Sequence, residues 1–201
     1  MLPIGLLSLV LFVELGIIAK SGPLPIDSRV AIWFKEHRTP TLVQWAQVFS
    51  ALTTPIIVFS VIIVLLLFLN YWTRSWYPRD FIPLALVLTS TAIEVFSRGF
   101  FGRSRPWAGL TTLYDFEPSY PSSHTALIAA AGCALLFFAG KRQFLILMTG
   151  GFVTCIIGLV GLTLGVNWFT DIIGSFLLSL GLLIIFFVID DWCAERERIA
   201  G

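Results

Sequence analysis

Charged residues are scarce in this chain. They make up 12% of its 201 residues, against about 25% in an ordinary soluble domain, while 57% are hydrophobic and mean hydropathy is +0.91. A soluble fold is excluded, and an integral membrane protein is expected. An excess of one sign is missing too. The formal net charge is +1 and no lysine or arginine tract supplies a local surplus, which excludes nucleic acid as a partner. Cysteine is sparse: Cys133 and Cys155 lie inside apolar runs and Cys193 follows the last one, a spacing that builds neither a zinc site nor a disulfide framework. No repeat, low-complexity tract or domain boundary appears, so residues 1–201 read as one membrane-embedded domain whose charged tail, Asp190 to Gly201, is expected to fray.

Long apolar runs fill the space that charge leaves. A helix needs about 20 mostly apolar residues to cross the hydrocarbon core. Six stretches approach that length: Leu2 to Ala19, Pro55 to Trp72, Phe81 to Phe101, Ser122 to Gly140, Phe144 to Leu164 and Phe169 to Ile189. The first is read as a retained span rather than a cleaved signal, because Glu14 interrupts it, no basic segment precedes it and no small-residue cleavage site follows. The expected fold is all-α, a polytopic bundle of six transmembrane helices. An even number places both termini on one side and gathers the connections after spans one, three and five on the other.

Between spans one and two the pattern is amphipathic. Asp27 is placed to cap a helix whose Val30, Ala31, Trp33 and Phe34 recur at helical spacing, with Arg29, Lys35 and Glu36 on the wet face. Thr39 and Pro40 read as cap and first position of a second helix, with Leu42, Trp45, Ala46 and Phe49 on one side and Gln44 and Gln47 on the other. Both are expected to lie along the membrane surface, and Thr54 with Pro55 opens the second span by the same device. Trp72, Trp76, Trp107, Trp168 and Trp192 fall at the ends of spans, where an aromatic belt belongs, and Trp33 and Trp45 sit in the surface helices. The terminal side holds Arg74, Arg79, Lys141, Arg142, Arg196 and Arg198. Opposite stand Lys20, Arg29, Lys35 and Arg38, once the three arginines of the region 98–105 are set aside. Six against four places both termini in the cytoplasm.

Three pieces at the water edge of apolar runs carry the chemistry. Arg98 and Arg105 close span three seven residues apart, two turns and one face of a continuous helix. Their planar forks suit phosphate oxygens, so together they make an oxyanion clamp; the plain alternative is a pair of interfacial anchors. That plain role, a snorkelling anchor, is the one assigned to Arg103. Glu94, four residues before Arg98, is set for a helical ion pair that competes with phosphate, and Glu14 is expected to partner a buried basic or polar group. Pro121, Ser122, Ser123 and His124 open span four. Amides at a helix start offer donors to a phosphate, and His124 stands where it can protonate a leaving oxygen. Read as structure, Ser122 is an N-cap and His124 an interfacial side chain. The third piece, Gly165 to Asp171, contains Asn167 where a nucleophile would serve.

Together these pieces resemble the type 2 phosphatidic acid phosphatase superfamily, which includes lipid phosphate and undecaprenyl diphosphate phosphatases. Its pattern is Lys-x6-Arg-Pro, then Pro-Ser-Gly-His, then Ser-Arg-x5-His-x3-Asp, and the likeness covers nearly the whole chain. Arg98 stands at the family's lysine, Arg105 and Pro106 match, and Pro121, Ser122 and His124 match with Ser123 replacing glycine. Asp171 matches, but Val160 and Gly161 replace Ser-Arg, and Asn167 replaces the histidine that attacks phosphorus. An amide nitrogen, its lone pair delocalised, forms no phosphoenzyme, although Asn167 retains a donor. Gly161 with Gly165 also reads as a small-xxx-small face for close packing of two spans.

The resemblance implies a metal- and cofactor-independent hydrolase of lipid phosphate or isoprenoid (di)phosphate, with His124 and Asp171 catalytic and with Arg98, Arg105, Ser122, Ser123 and Asn167 on the phosphate. The departures make it a candidate pseudoenzyme: the expectation is a retained grip with weak or lost hydrolysis. Two further routes keep a proton carrier. His124 acts as base for direct attack by water, or His37 reaches across from the first surface helix, where its ordinary role is interfacial. The alternatives are a non-catalytic carrier, sensor or accessory subunit of a membrane protein, or a scaffold.

Overall fold

The computed structural model describes residues 1–73, 78–106 and 117–200, and every regular element among them is helical. In chain order these are α1 (Leu2–Lys20), α2 (Pro25–His37), α3 (Pro40–Leu52), α4 (Pro55–Thr73), α5 (Ile82–Phe101), α6 (Ser123–Leu135), α7 (Gln143–Leu164) and α8 (Phe169–Ala200), with short 3-10 turns before α5 and between α6 and α7. Proline occupies the first or second position of each helix from α1 to α5, where its missing N–H costs nothing and its fixed φ suits the helix. Thr39 caps α3 as expected, its hydroxyl accepting from the Leu42 amide at 3.2 Å. Thr54 does not repeat the device: its hydroxyl turns back to the Ala51 carbonyl at 2.7 Å. Arg74, Trp76 and Trp107 lie outside the described residues.

Five helical stretches are long and apolar enough to cross a membrane: Leu2–Lys20, Pro55–Trp72, Ile82–Phe101, Gly140–Leu164 and Phe169–Arg196. The expected fourth span is shorter than its apolar run. Its regular helix, α6, has 13 residues and passes through a 3-10 turn, Leu136–Phe138, into Gly140, whose φ of +49° ends it. At the other extreme the tail does not fray, since α8 continues to Ala200. Arg196 lies 3.9 Å from the centre of the Trp192 ring one turn back, a cation–π contact that holds the exposed end together.

Helix α6 is the axis of the bundle. Its Ala130, Ala134 and Leu127 are buried with Leu66 of α4, Leu86 and Val87 of α5 and Leu183 of α8, and a Cβ on Gly132 would stand 3.5 Å from the Gly150 Cα of α7. Small residues let these backbones approach. Helix α1 packs on α8: a Cβ on Gly5 would meet Ile184 at 3.0 Å, and the Ser8 hydroxyl donates to the Leu177 carbonyl at 2.8 Å. The outward faces are apolar, as a lipid-facing surface requires. Glu14 stands among them, exposed beside Val10, Leu11, Ile17 and Ile18. Its expected buried partner is absent among the described residues.

The ends of α1, α5 and α7 and the starts of α6 and α8 meet at one end of the bundle. Lys20 donates to the Phe100 carbonyl at 3.3 Å, and the Ser122 amide donates to the Asp171 carbonyl at 3.4 Å. The surface helices cover this end, with Ala46 of α3 packed on Leu164 and Val166. All three pieces singled out in the sequence are brought together here.

Candidate functional site

Helix α5 ends on Gly102, whose φ of +60° is the left-handed value that favours glycine, and the chain turns so that Arg103 and Arg105 leave in different directions. Arg98, in the last turn, is held by three acceptors: its Nε donates to the Pro118 carbonyl at 3.1 Å, its Nη1 reaches Glu94 at 3.5 Å, and its Nη2 donates to Glu117 at 2.6 Å. The expected Glu94 pair is formed. Arg105 donates from Nε to the Glu117 carbonyl and from Nη1 to the Val166 carbonyl, each at 2.8 Å, and its Nη2 lies 3.9 Å from Glu117 Oε2. One carboxylate oxygen is therefore shared by both guanidiniums. Glu117 was not singled out by the sequence, which offers no periodicity or pattern around it.

The start of α6 faces this pair. Ser123 lines a cavity of about 260 Å³ together with Arg98, Glu94, Ser90, Thr91 and apolar residues of α4 and α6. His124 hydrogen-bonds to the backbone of Ser50 in the surface helix α3, and the charges around it are Arg105, Arg98 and Glu117. A surface helix thus orients the histidine that the sequence chose, through a residue the sequence did not indicate. Ser122 caps α6 by position, but its hydroxyl bonds Thr125 Oγ1 at 2.9 Å and Asn167 Oδ1 at 3.2 Å. His37 turns away: its Nδ1 lies 2.8 Å from the Trp33 carbonyl and its ring stacks on Trp33, the ordinary interfacial role.

Arg103 is not a snorkelling anchor. It is 2% exposed, and its Nη2 donates to Asp27 Oδ2 at 2.6 Å while its Nη1 donates to Asp171 Oδ1 and to Thr170 Oγ1. Helix α2 starts two residues before the expected cap: Leu24 holds the N-cap position and Asp27, in the first turn, accepts from the Leu24 amide at 3.0 Å. Asp27 is also fully buried and accepts from the Thr170 amide at 2.9 Å. A guanidinium clasped by two carboxylates from α2 and α8 offsets the cost of burying all three.

Both carboxylate oxygens of Asp171 are already engaged. Its Oδ2 accepts from the Trp168 amide at 2.7 Å, capping α8, and its Oδ1 takes Arg103. Asn167 is locked between neighbours, its Oδ1 accepting from Ser122 and its Nδ2 donating to the Ser119 carbonyl at 3.1 Å. Gly161 does not pack two spans together. A Cβ there would stand 2.8 Å from Asn167 Oδ1, so its bareness makes room for the asparagine, and Gly165 ends α7 at φ +67°. Positions 161 and 167 are coupled by space. Tyr120 seals the floor, donating to the Phe12 carbonyl at 2.6 Å; burial pushes its phenol up and keeps it a neutral donor.

Two clusters result. Arg98, Arg105, Glu117, Ser123 and His124 form a half-open one; Arg103, Asp27, Asp171, Thr170, Asn167 and Ser122 form a closed one. A family model described as the PAP2 superfamily matches residues 81–194, which takes in both clusters except Asp27, and leaves out Ser50. Among solved structures, a transmembrane PAP2-type phosphatidylglycerolphosphate phosphatase from Bacillus subtilis is similar, with a TM-score of 0.76 and 19% identity over 93% of this chain and 96% of that one. At that identity the likeness is one of fold. No curated protein matches.

Proposed function

This chain belongs to the PAP2 superfamily, and from that premise we propose that it grips the phosphate of a membrane lipid or isoprenoid (di)phosphate at Arg98, Arg105 and the first turn of α6. The observation that carries this reading is the convergence of two guanidiniums on one carboxylate oxygen of Glu117, at 2.6 and 3.9 Å. A carboxylate held in this way stands in for the phosphate oxygen such a fork accepts. The first-turn amides of α6, which a helix leaves without partners of its own, add donors at Ser123. The structural neighbour is a phosphatidylglycerolphosphate phosphatase, and a lipid phosphate of this kind is the ligand proposed here. The cavity of about 260 Å³ between α4, α5 and α6 takes the first carbons of its chain, with Phe59 and Leu127 on the apolar side and Arg98 at the polar end.

Hydrolysis is slow or lost in this reading. Asn167 offers no nucleophile, its amide is spent on Ser119 and Ser122, and Asp171 acts as the positioning residue of a closed cluster rather than as the partner of an imidazole. His124 remains placed to give a proton to a leaving oxygen, with the bond to Ser50 setting its ring. We also read α6 with its 3-10 extension as a sixth crossing: α5 and α7 both end at the motif side, so α6 must carry the chain back. Both termini then share a side, the cytoplasmic one by the balance of lysine and arginine. One observation favours an accessory role beside the binding role: Glu14 is an acid on the outward face of a span, and such a group calls for a partner within the membrane.

The test is direct. The purified chain binds dioctanoyl phosphatidate and releases phosphate from it slowly or not at all, and Arg105→Ala lowers the affinity by about tenfold or more, the loss expected for one charge-assisted pair. Rapid release abolished by His124→Ala would overturn the non-catalytic reading. Absence of binding, with Arg105→Ala changing nothing, would leave a scaffold.

A further inference from the structure

We propose that Glu117 sets a charge threshold on the anion site, admitting lipid phosphomonoesters or diphosphates and refusing the phosphodiester headgroups of the surrounding bilayer. The proposal rests on the reading that Arg98 and Arg105 hold a lipid phosphate. Each of these arginines engages all three of its nitrogens, with Nη1 on Glu94 for Arg98 and on the Val166 carbonyl for Arg105. The Nε atoms hold backbone, at the Pro118 and Glu117 carbonyls. The Nη2 atoms both face Oε2 of the Glu117 side chain. The backbone of this segment is thereby pinned independently of the carboxylate. The carboxylate itself is 54% exposed, so it can swing aside without disturbing either arginine.

A site at the membrane surface is bathed in headgroups, and nearly all carry a phosphodiester with a single negative charge. A bare pair of guanidiniums would be filled by them continuously. With Glu117 in place, a phosphodiester exchanges one negative charge for another and gains nothing from the exchange. It also competes with a group tethered to the site, whose effective concentration is high. A phosphomonoester brings about −1.5 to −2 charge and three acceptor oxygens, enough to displace a carboxylate and engage both forks. Glu94, on Nη1 of Arg98 from below, lowers the positive potential further and sharpens the same threshold. Only the Glu117 end of the ion pair is exposed, so the carboxylate can leave from the solvent side while the guanidiniums stay in place.

The experiment uses the full chain in a phosphate-free detergent, titrated calorimetrically with dioctanoyl phosphatidate and with dioctanoyl phosphatidylglycerol. The wild-type chain prefers phosphatidate. Glu117→Gln tightens phosphatidylglycerol by about threefold to fivefold, the scale of an exposed ion pair, tightens phosphatidate less, and so narrows the preference. Glu117→Asp keeps it. An unchanged preference in Glu117→Gln overturns the proposal, as does weaker phosphatidate binding, which would make Glu117 a direct contact to the headgroup. Arg105→Ala separates the two levels. If it weakens phosphatidate while Glu117→Gln leaves the preference intact, only the threshold falls; if it changes nothing, the anion site and the threshold fall together.

Discussion

Arg103 and Arg105 stand two residues apart, and their surroundings are opposite. Arg103 is clasped by Asp27 and Asp171, both with 0% side-chain exposure, and its partners come from helices at either end of the sequence. Arg105 is held by two backbone carbonyls and by a half-exposed glutamate. Identical side chains on one short segment thus make a sealed joint and, in the proposed reading, an exchangeable grip. The difference lies in whether the partner can leave. Removing one member of a buried ion cluster costs about 3–5 kcal/mol because the others remain charged and dry, whereas an exposed pair contributes about 0.2–1 kcal/mol.

The largest effect expected is therefore from Arg103→Leu, which strands Asp27 and Asp171. It should lower stability by about 3–5 kcal/mol, read as a fall in the thermal midpoint in detergent, while Arg105→Leu, which gives up its bonds to the Glu117 and Val166 carbonyls but strands no buried charge, lowers it by less, about 1.5–3 kcal/mol. Equal losses from the two would erase the distinction between joint and grip. A smaller effect is expected from the double change Gly161→Arg with Asn167→His, which restores the arginine and histidine of the family's third motif. It breaks the Ser119 and Ser122 bonds and fills the space Asn167 uses, at about 1–3 kcal/mol, and the new imidazole finds Asp171 already taken by Arg103 and the Trp168 amide. Phosphate release is expected to stay near background. A clear gain would show that the closed cluster opens readily and that the grip lacked only its nucleophile. The smallest effect is from His37→Ala, which should leave phosphatidate affinity unchanged, since its ring rests on Trp33.

Much of the fold was legible because membrane thickness sets run length. The starts of α4 and α8 fall on the expected residues, and those of α5 and α7 within one residue. Proline and threonine marked the helix starts by local chemistry. The failures share a cause. Asp27 and Arg103 each had a sufficient local explanation, cap and anchor, and nothing local announced an ion pair across 76 residues or a second one across 68. Gly161 looked like a packing face because Gly165 lies four residues on; the structure instead gives one glycine to a neighbouring side chain and the other to a left-handed turn. Glu117 carried no signal, since a loop residue has no period to betray it. Arg98, Arg105, Ser123 and His124, singled out because arginine and a helix start suit phosphate, are brought together by the structure, and their role on phosphate is the proposal to be tested.

The packing of α1 on α8 has a consequence for the order in which the protein is made. Synthesis delivers α1 first and α8 last, yet Gly5 and Ser8 find their partners at Ile184 and Leu177, and Tyr120 closes on Phe12 with its ring against Gly174. Until α8 leaves the ribosome, the part of α1 that packs on it, around Gly5 and Ser8, waits in the bilayer uncovered. Asp27 and Arg103 have each other from the start, but Asp171 and Thr170, which complete that cluster, belong to the same late helix. A nascent chain halted after α7 already carries every residue of the proposed grip, but lacks Asp171 and Thr170, which complete the lock at that end of the bundle. The last helix is the keystone, and completion of translation is the event that sets it.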